Sequence, residues 1–258
     1  LHSLFDAWCN LRILRLEGCS DLSEIPDNIK TLTKLKHLSL NDSAVETLPT
    51  CISHLSSLSE ISLRRCKRLK WILGLPPFLK ELDAEDCTLL ETVSSDSLVQ
   101  NQCSFNFCNC EKLDERSLRY IQESILSSMT STYDYYETRS CYPGRRVPEW
   151  MESKPLTEAF NAPKLTCHLE QSQDLLICCI LPKRLQVFCT FNSFTFNFIH
   201  LNSDHVLLWH VRRHPWDVAC EFFLRYWDEE WKNCRVTAKE CGAHLLYCSE
   251  PIIRKREG

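Results

Sequence analysis

Seventeen cysteines and nine histidines in 258 residues are the side chains of this sequence with the widest chemical reach, as metal ligands, nucleophiles or halves of disulfides. Paired zinc knuckles want Cys-x-x-Cys. Cys108 and Cys110, Cys167-His168 and Cys178-Cys179 have other spacings, so no metal site is expected. A thiol hydrolase in the C-terminal half would need an activated Cys beside a His and a third group to orient it. Asp204-His205 is an acid–imidazole neighbour pair. Neighbours along a strand face opposite sides, so a polar strand start is its expected role. A phosphate cradle requires a glycine-rich turn followed by Lys-Ser or Lys-Thr. The five glycines, at 18, 74, 144, 242 and 258, build none, and no cofactor is expected.

Composition narrows the field further. A net charge of −4 gives no electrostatic reason for nucleic-acid binding. No apolar run approaches the 18 residues of a membrane span. Disulfide scaffolds are short and have even cysteine counts. Here the count is odd, and Cys178, Cys179 and Cys189 fall inside strand-like apolar runs, where free Cys behaves as a small hydrophobe. A reducing, cytoplasmic location is therefore expected, with the nucleus as a second one. The tail Ile253-Arg254-Lys255-Arg256 has too few basic residues to serve as a nuclear address, and the sequon Asn41-Asp42-Ser43 sits at the end of a predicted strand.

The residues must be positioned by repeats. Leu11-Arg12-Ile13-Leu14-Arg15-Leu16 returns as Leu35–Leu40, Leu58–Leu63 and Leu79–Ala84, with starts 24, 23 and 21 residues apart. That period is the one of leucine-rich repeats, whose units bury their apolar faces only by stacking into a solenoid. Cys19, Cys66 and Cys87 take the position that bonds turn backbones, with Ser43 near it in the second unit. Inward pairs follow at Leu22/Ile25, Val45/Leu48, Leu69/Ile72 and Leu90/Val93, and Pro26 and Pro49 turn the chain into its convex return. Phe5, Trp8 and Leu11 keep the same register, so the chain is expected to be a piece of something longer on its N-terminal side.

Residues 94–104 lose the period and read as the exit from the solenoid. A helix is predicted over 114–128, capped by Asp114, with Leu118, Ile121, Ile125 and Met129 along one stripe. Residues 130–140 read as loop. Strands are predicted at 164–169, 175–181, 186–191, 194–199, 205–211, 219–226, 234–239 and 243–248, which together imply an antiparallel sandwich. The organisation is thus repeats over 1–97, a connector over 98–140, a β-sandwich over 141–250 and a tail over 251–258.

Segments after the repeats carry a resemblance. Phe107-Cys108-Asn109-Cys110-Glu111-Lys112-Leu113-Asp114 looks like the stretch that follows the repeats in plant intracellular immune receptors of the TIR–nucleotide-binding–leucine-rich-repeat class. Tyr142-Pro143-Gly144-Arg145-Arg146-Val147-Pro148-Glu149-Trp150-Met151 resembles the opening of their C-terminal jelly-roll/Ig-like domain, the C-JID. Ser203-Asp204-His205-Val206 and the run from Lys239 to Tyr247 resemble two further landmarks of it, in order. Met151 departs from the usual aromatic pair, and Cys178-Cys179 from a small-residue strand. The resemblance implies a non-enzymatic recognition and autoinhibition module whose partners are a pathogen effector and the receptor's own nucleotide-binding and TIR domains. Oligomerisation and NAD cleavage would belong to those domains.

On this reading the candidate contacts are Arg15, Ser39, Asn41, Ser62, Arg64, Asp83 and Glu85 on the concave face, against the alternative of a solvated face. Trp71 aligns with the outward Glu24, Thr47 and Thr92, and is either an interface residue or packed on the solenoid exit. Arg212, Arg213 and Trp216 form a basic, aromatic loop that either recognises a partner or tucks Trp216 onto the sheet. Two rival functions remain: an extracellular leucine-rich-repeat binding protein, and the thiol hydrolase.

Overall fold

A computed structural model of the chain describes residues 5, 8–95, 103–129, 138–145, 165–167, 173–181, 186–191, 194–198, 201–211, 220–227 and 241–247, with side chains at 5, 8–95, 103–125, 138–145 and 201–208. Its first part is a ladder of three-residue strands: β1 (Ile13–Arg15), β2 (His37–Ser39), β3 (Glu60–Ser62), β5 (Glu81–Asp83) and β7 (Ser104–Asn106). They pair in parallel in that order. The register stacks Leu14, Leu38, Ile61, Leu82 and Phe105 in one column, each with 5% or less of its surface exposed. The column arises because the middle residue of every strand points inward while its neighbours face out. Each such side chain stabilises the fold by roughly 1.5–3 kcal/mol of burial. This mostly parallel ladder is compatible with the leucine-rich-repeat solenoid expected from the spacing.

A second, two-stranded ladder of β4 (Trp71–Leu73) and β6 (Thr92–Ser94) runs parallel. Parallel bridges Glu24–Thr47 and Thr47–Trp71 continue it, in the alignment read from the repeats. After Pro26 and Pro49 the chain enters 3₁₀ turns at Asp27–Thr31 and Thr50–His54, which bury Ile29 and Ile52. Helix α1 spans Glu115–Met129, and Asp114 Oδ1 caps it by accepting the Ser117 N–H at 2.7 Å. The Ser117 hydroxyl first, and then its N–H, hold the Asp114 carboxyl below its ordinary pKa.

Thiols complete the coils. Cys66, Cys87 and Cys110 are buried and donate to the carbonyls of Leu40, Leu63 and Ala84 at 3.0, 2.9 and 3.0 Å. Burial pushes the Cys110 thiol up from its ordinary pKa, the opposite of an activated nucleophile.

The structure departs from the sequence reading at two places. The stretch over 94–104, read as the exit, leads into β7, so the ladder gains a further rung. Residues 138–140, read as loop, belong to β8 (Thr138–Pro143), which pairs parallel with β7 at Phe105–Ser140 and Asn106–Cys141. Polar side chains serve this pairing: the Phe105 N–H donates to Ser140 Oγ at 3.2 Å, and the Arg139 N–H to Ser104 Oγ at 3.1 Å.

Beyond β8 the strands among the described residues are β9 (Leu165–Cys167), β10 (Gln173–Leu181), β11 (Gln186–Phe191), β12 (Phe194–Phe198), β13 (His205–Val211), β14 (Cys220–Trp227) and β15 (Cys241–Tyr247). They pair antiparallel, with β8-β13-β10-β15 extending the long ladder and β12-β11-β14-β9 forming a separate sheet. The strand predicted at 234–239 lies outside the described residues. Among those described, no helix is long and apolar enough to cross a membrane.

Candidate functional site

The turn after each rung places one residue in the left-handed region: Gly18 (φ 68°), Asp42 (57°), Arg65 (58°), Asp86 (63°) and Asn109 (62°). The first four donate their N–H to a carbonyl of the following coil, at Asn41, Arg64, Glu85 and Cys108, over 2.8–2.9 Å. Among the described residues no further coil lies ahead of Asn109. Its N–H donates instead to Nε2 of His205 at 2.9 Å, and its Oδ1 accepts the Asn202 N–H at 2.8 Å. His205 is fully buried, and its Nδ1 lies 2.8 Å from the Ser203 carbonyl, which fixes the neutral tautomer with the proton on Nδ1. Likewise the Phe107 N–H donates to the Cys141 carbonyl of β8 at 2.7 Å, where earlier coils use Ser39, Ser62, Asp83 and Asn106. Three of the four segments behind the family resemblance therefore meet at one seam, through Phe107 and Asn109, Cys141 and Gly144, and Ser203 to His205, while the fourth pairs with β10 as β15. Gly144 belongs to it: its N–H donates to the Asp204 carbonyl at 3.0 Å.

Beside this seam the concave face presents polar columns. Ser39 Oγ donates to Glu17 Oε1 at 2.6 Å, and Ser62 Oγ to Asn41 Oδ1 at 2.7 Å. The Arg64 N–H also donates to Asn41 Oδ1, at 2.8 Å. The Arg64 guanidinium pairs with Glu85 and lies 3.6 Å from Asp83. Of the predicted contacts, Ser39, Asn41, Ser62, Arg64, Asp83 and Glu85 are thus joined in networks on this face, and Arg15 is exposed at its edge. Trp71 is not among them. It stands 38% exposed on the second ladder, with Lys70 Nζ 5.4 Å from its ring centroid. Arg212, Arg213 and Trp216 lie outside the described residues.

Sequence reasoning missed the column next to these, Ile13, His37, Glu60 and Glu81, whose members precede the inward residue of each strand. His37 Nδ1 lies 2.6 Å from Glu60 Oε2. The signal was present, since outward positions flank every inward one. Also missed was Arg139, which the β7–β8 pairing brings to the same place from a distant part of the chain.

Between ladder and seam lies a cavity of about 220 Å³ lined by Arg64, Glu81, Asp83, Glu85 and Arg139, with Phe105, Cys141 and Leu207 as apolar wall. Burial raises the pKa of Glu81, Asp83 and Glu85 above the ordinary carboxylate range, and for Glu81 the charges of Glu60 and Asp83 add to it. Three carboxylates against two guanidiniums leave the wall net negative. Such a surface can bind a cation or a basic side chain. Among the described residues no cluster of His, Cys, Asp or Glu could hold a metal ion.

No protein-family model matches the chain. It is 33% identical to the Arabidopsis thaliana disease resistance protein RPS4B over 173 residues, which cover 54% of this chain and 15% of that protein. It is 30% identical to the Arabidopsis thaliana disease resistance protein RPS4 over 70% of this chain and 17% of that protein. With the Arabidopsis thaliana disease resistance protein RPP2B the likeness is 26% identity over 95% of this chain and 26% of that protein. The matches thus span 15–26% of the length of these relatives. Its homologues are disease resistance proteins of Arabidopsis.

Proposed function

We propose that this chain is the effector-recognition and autoinhibition end of an intracellular plant immune receptor, built from leucine-rich repeats and a C-JID sandwich. It acts without chemistry of its own, in the cytoplasm. The observation that carries this reading is the cavity at the seam, where residues of the ladder and of β8 and β13 share one surface. A partner seated there touches both halves at once. At about 220 Å³ the cavity is smaller than the roughly 300–1,000 Å³ of small-molecule sites, and suits a single side chain. An apolar wall beneath a net-negative rim matches a Lys or Arg of the partner, with its aliphatic stem and cationic head. The nine cysteines whose side chains are described are free thiols.

Arg64 is a poor probe of this surface, because reversing its charge would leave Asp83 and Glu85 repelling each other. Glu81→Gln tests it more cleanly, and Trp71→Ala tests the second ladder beside it. Each purified variant is titrated with individual effectors of a pathogen that a plant carrying this receptor resists. For an effector bound by the parent chain, Glu81→Gln is expected to weaken binding by about tenfold, which is about 1.4 kcal/mol. Trp71→Ala is expected to weaken it to a similar degree. Thermal midpoints should stay within about 2 °C of the parent, as surface substitutions usually leave them. Unchanged affinity in both variants removes the concave face and the Trp71 ladder from the contact set.

A further inference from the structure

We propose that Cys108 and Cys141 are a disulfide-forming pair, a covalent modification site that fastens the last coil of the ladder to β8. Their sulfurs lie 2.9 Å apart and both residues are buried, at 2% and 3% exposure. A disulfide holds its sulfurs about 2.05 Å apart. Closing the bond therefore requires a movement of less than about 1 Å. The backbones are already fixed on either side. Asn106 is paired with Cys141 in the β7–β8 register, and the Phe107 N–H donates to the Cys141 carbonyl at 2.7 Å.

The thiols of Cys66 and Cys87 also hydrogen-bond each other, but unlike Cys108 they are tied to the backbone as well. Cys66, Cys87 and Cys110 each donate to a main-chain carbonyl of the preceding coil, so oxidising them would strip those carbonyls of their donors. The Cys108 thiol is directed at another sulfur. Its oxidation removes no bond to the backbone. Cys108 also continues the outward column of Glu17, Asn41, Arg64 and Glu85, and so stands where a side chain would face solvent if β8 were not laid beside it. Cys141 lines the cavity described above.

The reaction needs a two-electron oxidant, and a low-molecular-weight disulfide such as oxidised glutathione supplies it. One cysteine, as thiolate, attacks a sulfur of glutathione disulfide, giving a mixed disulfide and one glutathione thiolate. The second cysteine then attacks the protein sulfur of the mixed disulfide and expels the other glutathione thiolate. The two protons lost from the cysteines end on the two glutathione molecules. The protein dithiol is oxidised and the glutathione disulfide reduced, with two thiols released per bond formed. Because both sulfurs are buried, attack waits on local opening of the seam, and oxidation is slow under native conditions.

The test is oxidation of the full chain with glutathione disulfide, natively and in mild urea that opens the seam, followed by alkylation and non-reducing peptide mapping. The expected result is one dominant crosslink, Cys108 to Cys141, formed faster in urea, with Cys66, Cys87 and Cys110 still alkylated. The crosslinked form should melt on the order of 5–10 °C above the reduced one, since the bond closes a loop of some thirty residues. Cys141→Ser is expected to fold, lose the crosslink and lose the shift. If that variant does not fold, Cys108→Ala serves the same purpose. Cys108 found joined to another cysteine, or both thiols still fully alkylated after oxidation in urea, would overturn the proposal.

Discussion

His205 does with a ring nitrogen what each earlier coil does with a main-chain carbonyl. It accepts the N–H of a left-handed turn residue, and it can do so only while uncharged. Burial lowers its pKa from the ordinary value of about 6.5, against weaker upward pulls from its bond to the Ser203 carbonyl and from the nearby carboxylates of Glu111 and Asp204. The sign follows from that direction. A histidine whose folded pKa is depressed contributes stability that is complete above the unfolded value and lost as pH falls below it. Urea unfolding followed from pH 8 to pH 5 is expected to show a decline that begins near pH 6.5. His205→Gln keeps an acceptor with no proton to gain, so the part of the decline below pH 6.5 should shrink in it. An identical pH profile in the variant would assign the decline to other groups. The carboxylates of Glu81, Asp83 and Glu85 work in the opposite sense: their raised pKa values make the folded state favour their neutral forms, a preference expressed at acid pH and lost as pH rises.

Among the elements, β7, the last rung before β8, carries aromatic residues where the other rungs use Leu, Ile or Ala. Phe105 and Phe107 are both buried, their rings stacked with centroids 6.1 Å apart and planes at 14°. Phe105→Ala would leave a cavity between the last coil and β8. Its expected cost is about 3–5 kcal/mol in urea unfolding. A loss below about 1 kcal/mol would mean that the rung collapses to fill the gap. These residues also show where the sequence was legible. Four units were read in register because Leu, Ile and Ala recur at the inward positions, and the structure stacks them in that order. The fifth was overlooked because its sequence has Gln102 where the pattern of Leu79 calls for an apolar residue. The first half of β8 was overlooked for a different reason. Thr138 and Ser140 are buried, yet they are polar, and hydrogen bonds to the preceding rung do the work that apolar periodicity would have announced. The concave columns could be read because strand alternation dictates them. Arg139 could not, since only tertiary pairing brings it there.

At the scale of the whole molecule, one sheet runs from β1 to β15, changing from parallel to antiparallel pairing where β8 meets β13. Gly144 sits at that change. A Cβ built on it would lie 2.7 Å from Cγ2 of Val206, a buried residue of β13, closer than real contacts allow. Gly144→Ala must therefore displace the Val206 side chain, and with it β13 where that side chain is held by its packing. The expected loss is about 1–3 kcal/mol, read as a lower thermal midpoint, and faster alkylation of Cys108 should accompany it. An unchanged midpoint would show that Val206 can rotate out of the way.

The left-handed turns have an implication for how such an array can change in length. Gly18, Asp42, Arg65 and Asp86 all bond to a main-chain group, which any residue offers, so one coil is interchangeable with the next as far as the junction between them is concerned. Asn109 alone depends on a side chain supplied from almost a hundred positions later. Whole units of 21–24 residues, the successive intervals between Leu11, Leu35, Leu58 and Leu79, can be gained or lost upstream without disturbing any bond of the terminus. The final unit is bound to its imidazole partner, and the two can be inherited only together.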